Sequence, residues 1–176
     1  VAGGTPLAGI LSGRVNPSGK LSVTFPLSTG QIPIYYNMRQ SARPFDAMGD
    51  YQDIPTEPLY SFGYGLSYTT FTYSDAKLSS LKIKKNQKIT AEGKVEGKET
   101  VLWYVSDPFC SISRPMKELK FFEKQSLKVG ESRVFRFEID PMRDLSYTDA
   151  TGKRFLEAGE FIVSVGGRKL TFEVVD

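Results

Sequence analysis

The sequence predicts a mainly β protein whose C-terminal part is an antiparallel β-sandwich, and three observations support this. Short apolar rows alternate with polar residues, as where Phe135, Phe137 and Ile139 face one way. Glycine-containing turns such as the one at Gly130 separate these rows. Seven or eight short strands with turns at this spacing are typical of two packed sheets.

The predicted strands follow one another closely from residue 71 onward. They cover residues 71–73, 76–83, 88–94, 100–106, 119–127, 132–139, 161–165 and 170–174. Trp103 shares a face with Val101 and Val105, which favours a buried tryptophan on a central strand. A tryptophan that stacks on a sugar is the alternative interpretation.

Residues 1–30 have a different pattern and are predicted to be the end of an α/β domain. Thr5 is a candidate N-cap and Pro6 suits the first helical position, while Gly13 can end the helix in a left-handed conformation. Residues 21–25 alternate between apolar and polar, which predicts a half-buried strand.

Residues 31–68 are rich in proline, glycine and tyrosine and show no periodicity, so they are predicted to form a long irregular linker. Disordered linkers are poor in aromatic residues. We therefore expect this linker to be held against a surface. The residues expected to pack there are Tyr60, Phe62, Tyr64 and Tyr68. The sandwich domain is then predicted to cover residues 69–176.

The composition excludes several classes of function. The chain of 176 residues has a net charge of +3 and scattered basic residues, so nucleic acid is not an expected partner. It has no histidine and one cysteine, Cys110, which leaves no metal-ligand or cofactor motif. No apolar run is long enough for membrane insertion. The start at Val1 predicts a fragment of a longer protein.

One polar cluster in the linker could serve a sugar site. Its members are Asp46, Asp50, Asp53, Glu57, Arg39 and Arg43. Tyrosines for stacking, interleaved with carboxylates and guanidinium groups for hydroxyls, suit carbohydrate binding. A solvated connector whose aromatic residues pack on a neighbouring surface is the alternative, and the residues by themselves favour it.

Several segments resemble one enzyme family. They are VNPSGKL at residues 15–21, QIPIYYN at 31–37, PLYSFGYGLSY at 58–68, RPMKELK at 114–120 and AGEF at 158–161. Together they are similar to the C-terminal part of family 3 glycoside hydrolases. The resemblance implies an α/β sandwich domain that ends near residue 30, followed by an immunoglobulin- or fibronectin type III-like β-sandwich.

The resemblance also implies where the chemistry lies. Such enzymes are retaining β-glucosidases that use an aspartate nucleophile and a glutamate acid/base, both in segments absent from this chain. We therefore expect no catalytic residue, metal or cofactor here. The implied partners are the N-terminal catalytic domains and, for the whole enzyme, an oligosaccharide; the implied location is periplasmic or secreted. Arg43, Tyr51 and Asp53 are candidates for the substrate rim.

A carbohydrate- or protein-binding module is the alternative function. It would need a flat row of exposed aromatic residues on one sheet. The outward-facing candidates are Leu102, Tyr104 and Phe122. A small complete enzyme is the third hypothesis, which the missing acid pair disfavours.

Overall fold

A computed structural model describes residues 3–39, 55, 57–85, 89–96, 99–128 and 130–176, with only the backbone described over 89–96. The chain begins with helix α1 (Gly4–Leu11) and a 3-10 turn at Thr29–Gln31. The strands are β1 (Tyr73–Leu78), β2 (Lys82–Lys84), β3 (Ile89–Glu96), β4 (Glu99–Ser106), β5 (Glu118–Gln125), β6 (Ser132–Ile139), β7 (Tyr147–Thr148), β8 (Arg154–Phe155), β9 (Gly159–Val165) and β10 (Arg168–Val175).

The strands form the predicted β-sandwich. Within the described residues, one sheet has the order β1-β3-β6 and the other the order β2-β10-β9-β4-β5, while β7 and β8 form a separate hairpin. The pairs are antiparallel except that β2 lies parallel to β10, with Ile83 opposite Val174. The second sheet is therefore antiparallel with one parallel pair at its edge.

The core lies between the two sheets and consists of the predicted inner rows. Phe135, Phe137 and Ile139 are all buried, as alternation along β6 requires. Trp103 on β4 is 0% exposed and its ring centroid lies 6.1 Å from that of Phe137. Trp103 is thus a core residue, and the sugar-stacking interpretation is wrong.

The single strand predicted over residues 76–83 is wrong, because the chain changes sheets there. β1 ends at Leu78 in the first sheet and β2 begins at Lys82 in the second. The Ser80 hydroxyl donates to the Lys82 carbonyl at 2.7 Å and accepts from the Lys82 N–H at 3.3 Å. This side chain supports a turn that redirects the backbone.

Two elements between β6 and β9 were not predicted. A π-helical turn spans Pro141–Leu145, where the Asp140 carboxylate caps the Arg143 N–H at 3.1 Å. The hairpin of β7 and β8 then closes around Asp149, whose carboxylate accepts from the N–H groups of Thr151 and Lys153. Local side-chain caps of this kind leave little hydrophobic pattern in a sequence.

The N-terminal helix is confirmed with a different cap. Gly3 is the N-cap and no side chain bonds there, so the assignment of Thr5 as N-cap is wrong. Pro6 lies in the first turn, where its missing N–H costs no hydrogen bond. Gly13 has φ +74 just beyond the helix, as expected for a left-handed residue at its end.

The half-buried strand predicted over residues 21–25 is wrong, because only Phe25 forms an isolated bridge, to Tyr60, and Val23 and Phe25 are exposed. The segment nevertheless pairs with part of the linker. Leu21 donates to the Tyr64 carbonyl and accepts from the Gly63 N–H, each at 2.8 Å. Phe25 and Tyr60 exchange both backbone bonds, at 2.8 and 3.2 Å. Residues 60–64 therefore run antiparallel to residues 21–25, and this stretch of the linker is ordered by backbone pairing.

Candidate functional site

The N-terminal third of the chain carries an apolar surface without a core of its own. In the described parts of residues 3–68 no large hydrophobic side chain is buried, whereas the sandwich has a continuous core between Ile83 and Val174. Leu11 and Leu66 are 74% and 70% exposed. Contiguous exposed apolar surface of this kind marks an interaction site.

The exposed apolar residues surround a groove of about 1010 Å³ between α1 and the paired segments. It is lined by Ile10, Leu11, Val15, Asn16, Pro17, Ser18, Gly19, Lys20, Leu21, Tyr60, Tyr64, Gly65, Leu66, Ser67 and Tyr68. Carbon atoms dominate this lining. The groove is therefore suited to bury apolar side chains of another protein segment and offers few groups for sugar hydroxyls.

Three of the four residues expected to pack along the linker line this groove. Tyr60 and Tyr64 have ring centroids 4.8 Å apart and remain 40% and 41% exposed. The Tyr68 hydroxyl donates to the Ile10 carbonyl at 2.7 Å, and its ring is also largely exposed. Tyr60 and Tyr64 thus pack against each other, and Tyr68 bonds to α1.

Phe62, the fourth of these residues, faces the sandwich. Its ring stacks on Tyr36 with centroids 4.1 Å apart, and Tyr36 meets Tyr104 of β4 edge-on at 6.1 Å. The Lys117 ammonium lies 5.1 Å from the Tyr104 ring centroid. Burial, with a smaller contribution from Tyr36, raises the pKa of Tyr104 to about 12. These rings form an aromatic contact between the linker and the outer face of β4.

Glycine at position 63 lets the linker approach this face. Its φ is +81, and a Cβ there would lie 2.7 Å from Leu102 Cδ1 and 3.1 Å from the Tyr104 hydroxyl oxygen. Both the left-handed backbone and the close approach require glycine. The glycine at position 63 of the segment 58–68, which carries part of the family resemblance, is thus explained by its backbone conformation and its contact with β4.

Asn16 joins the α1 segment to the start of the sandwich. Its side-chain oxygen accepts from the Ser67 hydroxyl and the Tyr68 N–H, each at 2.9 Å. Its amide group donates to the Thr69 hydroxyl at 2.8 Å. One side chain therefore fixes the position at which the chain enters the sandwich.

A buried ion pair joins the same two parts of the chain. Lys20 Nζ lies 2.7 Å from Glu99 Oε1, and the two side chains are 25% and 5% exposed. Burial, with a smaller contribution from the charge of Glu99, raises the pKa of the Tyr73 hydroxyl. The Tyr73 ring covers Gly166, where φ is +52 and no Cβ would fit.

The substrate-rim candidates Arg43, Tyr51 and Asp53 lie outside the described residues. The chain on either side of them is held in place. Before residue 40, the Met38 carbonyl accepts from the Met116 N–H at 2.9 Å. After residue 54, the Gln31 amide group donates to backbone carbonyls at positions 55 and 57.

A polar cluster occupies the loop between β4 and β5. Arg114 bonds Asp107 at 2.8 Å and the Leu145 carbonyl at 2.7 Å, and both charged side chains are nearly buried. Burial raises the pKa of Asp107, and Arg114 offsets part of that rise. Burial also raises the pKa of the Cys110 thiol, which disfavours the nucleophilic thiolate. This cluster closes the loop and supplies no free acid.

Three carboxylates of the described residues are nearly buried and engaged by cations: Glu99 by Lys20, Asp107 by Arg114 and Asp144 by Arg143. Where the chain is described, no three His, Cys, Asp or Glu side chains come together as a metal site. No helix in that part of the chain is long and apolar enough to cross a membrane.

Sequence reasoning missed Tyr36, Lys20 and Glu99 as contact residues. The burial of Glu99 could have been predicted, because Glu99 lies two positions before Val101 and so belongs to the same inward-facing row as Val101 and Trp103. A charged residue in a core-facing row needs a partner. The sequence contained no sign that Lys20 is this partner.

Two family descriptions match the chain. "Glycosyl hydrolase family 3 C-terminal domain" matches residues 1–68, and "Fibronectin type III-like domain" matches residues 99–169. A periplasmic beta-glucosidase of Salmonella typhimurium is 43% identical over 176 residues, which cover 93% of this chain and 23% of that protein. A putative beta-xylosidase of Formosa agariphila is 41% identical, with 94% of this chain and 22% of that protein covered.

Solved structures of β-glucosidases also superpose on nearly the whole of this chain. A beta-glucosidase of Listeria innocua superposes with a TM-score of 0.89 at 37% identity, covering 97% of this chain and 26% of that one. A β-glucosidase of Erythrobacter marinus superposes with a TM-score of 0.88 at 35% identity, covering 98% and 24%. The chain thus spans about a quarter of the length of these relatives.

Proposed function

Because the chain belongs to the family 3 glycosyl hydrolases and corresponds to a C-terminal part of them, we propose that it is the non-catalytic C-terminal part of a retaining β-glucosidase. The observation that carries this proposal is the apolar groove on residues 3–68. A surface with this much exposed leucine and tyrosine is typical of one that another part of a protein covers.

The occupant that fits best is the rest of an α/β domain with its catalytic unit. α1 and the paired segments at residues 21–25 and 60–64 are pieces of secondary structure with an apolar side and no opposing layer in the described residues. Secondary structure needs a second packed layer to bury such a side. The relatives, which are about four times longer than the matched region, supply room for that layer.

In this proposal the sandwich holds the α/β domain from outside and takes no part in the chemistry. The boundary between the two lies near Thr69, with residues 1–30 as the end of the α/β domain and 31–68 as the linker. The Asn16 bonds to Tyr68 and Thr69 support a junction there. If residues 69–176 are expressed alone, they fold cooperatively; failure to fold would place the boundary elsewhere.

The substrate of the whole enzyme is a β-glycoside, and the names of the relatives leave glucoside and xyloside open. Arg43, Tyr51 and Asp53 remain proposed rim residues on the strength of the resemblance to the family. A periplasmic or secreted location is supported by the name of the Salmonella typhimurium relative.

The alternative, a separate carbohydrate-binding module, has less support. Of the three outward candidates, Tyr104 is covered by Tyr36 and Leu102 by the chain at Gly63. Phe122 is 62% exposed and is the one of the three that remains open. A single ring does not make the flat row that binding to a polysaccharide surface requires.

The proposal is tested by complementation. The Salmonella typhimurium relative is produced without the segment that matches this chain, and the chain is added to it. We expect no hydrolysis of a chromogenic β-glucoside by either part alone, and turnover when they are mixed.

A matched pair of variants tests whether the groove is the surface that binds the rest of the enzyme. Leu66→Asp in the groove removes complementation, while Phe122→Asp, at a similarly exposed apolar position outside the groove, keeps it. Hydrolysis by this chain alone, or equal complementation by both variants, contradicts the proposal.

A further inference from the structure

Strand β4 is held by the N-terminal part of the chain on both of its faces. On the outer face, Gly63 lies against Leu102 and Tyr104. On the inner face, Lys20 reaches Glu99 at the start of the strand. The two contacts are linked, because the carbonyl of Leu21 accepts from the Gly63 N–H at 2.8 Å. One end of the antiparallel pair of segments thus contacts β4 on both faces.

Glu99 occupies an unusual place for a carboxylate. It belongs to the row whose next members are Val101, Trp103 and Val105, all of which are buried in the core. Its own side chain is only 5% exposed. Tyr73, whose pKa is affected by the charge of Glu99, is neutral at physiological pH as any tyrosine is and supplies no positive charge. Among the described residues, the one cation within ion-pair distance is Lys20.

The two contacts impose different restrictions on the interface. Stacked rings such as Phe62 and Tyr36 gain from burial in many orientations, because apolar attraction has little directionality. A nearly buried carboxylate is different, since any rotation or slippage that withdraws the cation leaves it desolvated and uncompensated. The ion pair therefore penalises every arrangement except the one in which Lys20 sits over Glu99.

We propose that the Lys20–Glu99 ion pair is the positioning contact that sets how residues 3–68 are oriented on the sandwich, while the aromatic contact supplies the attraction. Both residues act through the backbone that they fix and touch no substrate. The proposal concerns two parts of this chain, so it stands or fails independently of what occupies the groove and of the complementation test above.

The test measures orientation directly. Spin labels are placed on cysteines introduced at Leu7 on α1 and Lys169 on β10, both exposed, in a Cys110→Ser background. The distance distribution between the labels is recorded by pulsed electron paramagnetic resonance on the full 176-residue chain. We expect one narrow population in the parent protein.

Removal of either charge is expected to broaden this distribution or to add a second population. The two test variants are Glu99→Gln and Lys20→Met. Lys20→Met changes only a side chain outside the core, so its distance distribution tests the proposal even if Glu99→Gln fails to fold. The matched control is Glu173→Gln, which removes the carboxylate of the exposed Lys82–Glu173 pair at 2.8 Å. The control leaves the distribution unchanged.

The exchanged pair Lys20→Glu with Glu99→Lys gives a second readout that loss of stability alone would not produce. If it folds, judged by far-ultraviolet circular dichroism, we expect the single narrow population to return. The proposal is overturned if the folded Lys20→Met protein keeps the parent distribution. It is also overturned if the folded exchanged pair shows the same broadening as the single variants.

Discussion

Replacement of Gly63 by alanine tests the contact between the linker and the sandwich. The residue has φ +81, where an L side chain costs about 1 kcal/mol. The new Cβ would also lie 2.7 Å from Leu102 Cδ1, and overpacking of this kind costs about 1–3 kcal/mol. We therefore expect Gly63→Ala to lower the free energy of unfolding by about 2–4 kcal/mol in total.

Gly152→Ala is the matched control for this experiment. Gly152 has φ +84 in the β7–β8 turn and no atom within 4 Å of the added Cβ, so only the backbone cost applies. Urea unfolding followed by tryptophan fluorescence measures both variants. The difference between them isolates the clash and should be about 1–3 kcal/mol. Equal losses in the two variants would refute the claim that residue 63 is pressed against β4.

Three further predictions concern single side chains. Tyr36→Ala removes the ring stack and lowers stability by about 1–3 kcal/mol, whereas Tyr36→Phe keeps the stack and costs less than about 1 kcal/mol by the same urea assay. Folding raises the pKa of Tyr104 from 10.0 to about 12, so the protonated hydroxyl contributes to the free energy of unfolding below pH 10, and this contribution is lost as the pH rises towards 12. Unfolding measured over a series of pH values should show this loss in the parent protein, and the Tyr104→Phe variant should lack the part due to Tyr104. Asp107→Asn removes the nearer carboxylate of the nearly buried Arg114 and leaves it only the longer contact to Glu118 at 3.8 Å, at a cost of about 3 kcal/mol. Asp176→Asn at an exposed pair costs less than about 1 kcal/mol, and similar thermal shifts for both variants contradict the first value.

The sandwich could be predicted because its core rows repeat every two residues. β6 is an example: Phe135, Phe137 and Ile139 determine both the strand and its inner face. The failure at residues 76–83 has the opposite cause. Those residues are compatible with one long strand, and the transfer between sheets depends on the turn at Ser80 and on tertiary packing, which local alternation does not record.

The candidate site was predictable only in part. Aromatic enrichment indicated that the linker is held against a surface, but it could not say which rings face which surface. Strict alternation would place residues 60, 62 and 64 on one face, yet Tyr60 and Tyr64 line the groove while Phe62 turns to the sandwich. A turn closed by the Tyr64 N–H and the Ser61 carbonyl at 3.0 Å, with Gly63 at φ +81, breaks the alternation there. The pairing of Lys20 with Glu99 joins residues far apart in the chain, and no local pattern identifies such a partner.

The central claim is that this chain lends structure, and no catalytic group, to a β-glucosidase. The most direct test is a chimera in which this chain replaces the matching segment of the Salmonella typhimurium relative. We expect the chimera to fold and to hydrolyse a chromogenic β-glucoside with a kcat close to that of the parent, because every reacting group stays in the parent portion. A folded chimera that binds the glucoside and does not hydrolyse it would overturn the proposal that this chain has a structural role only.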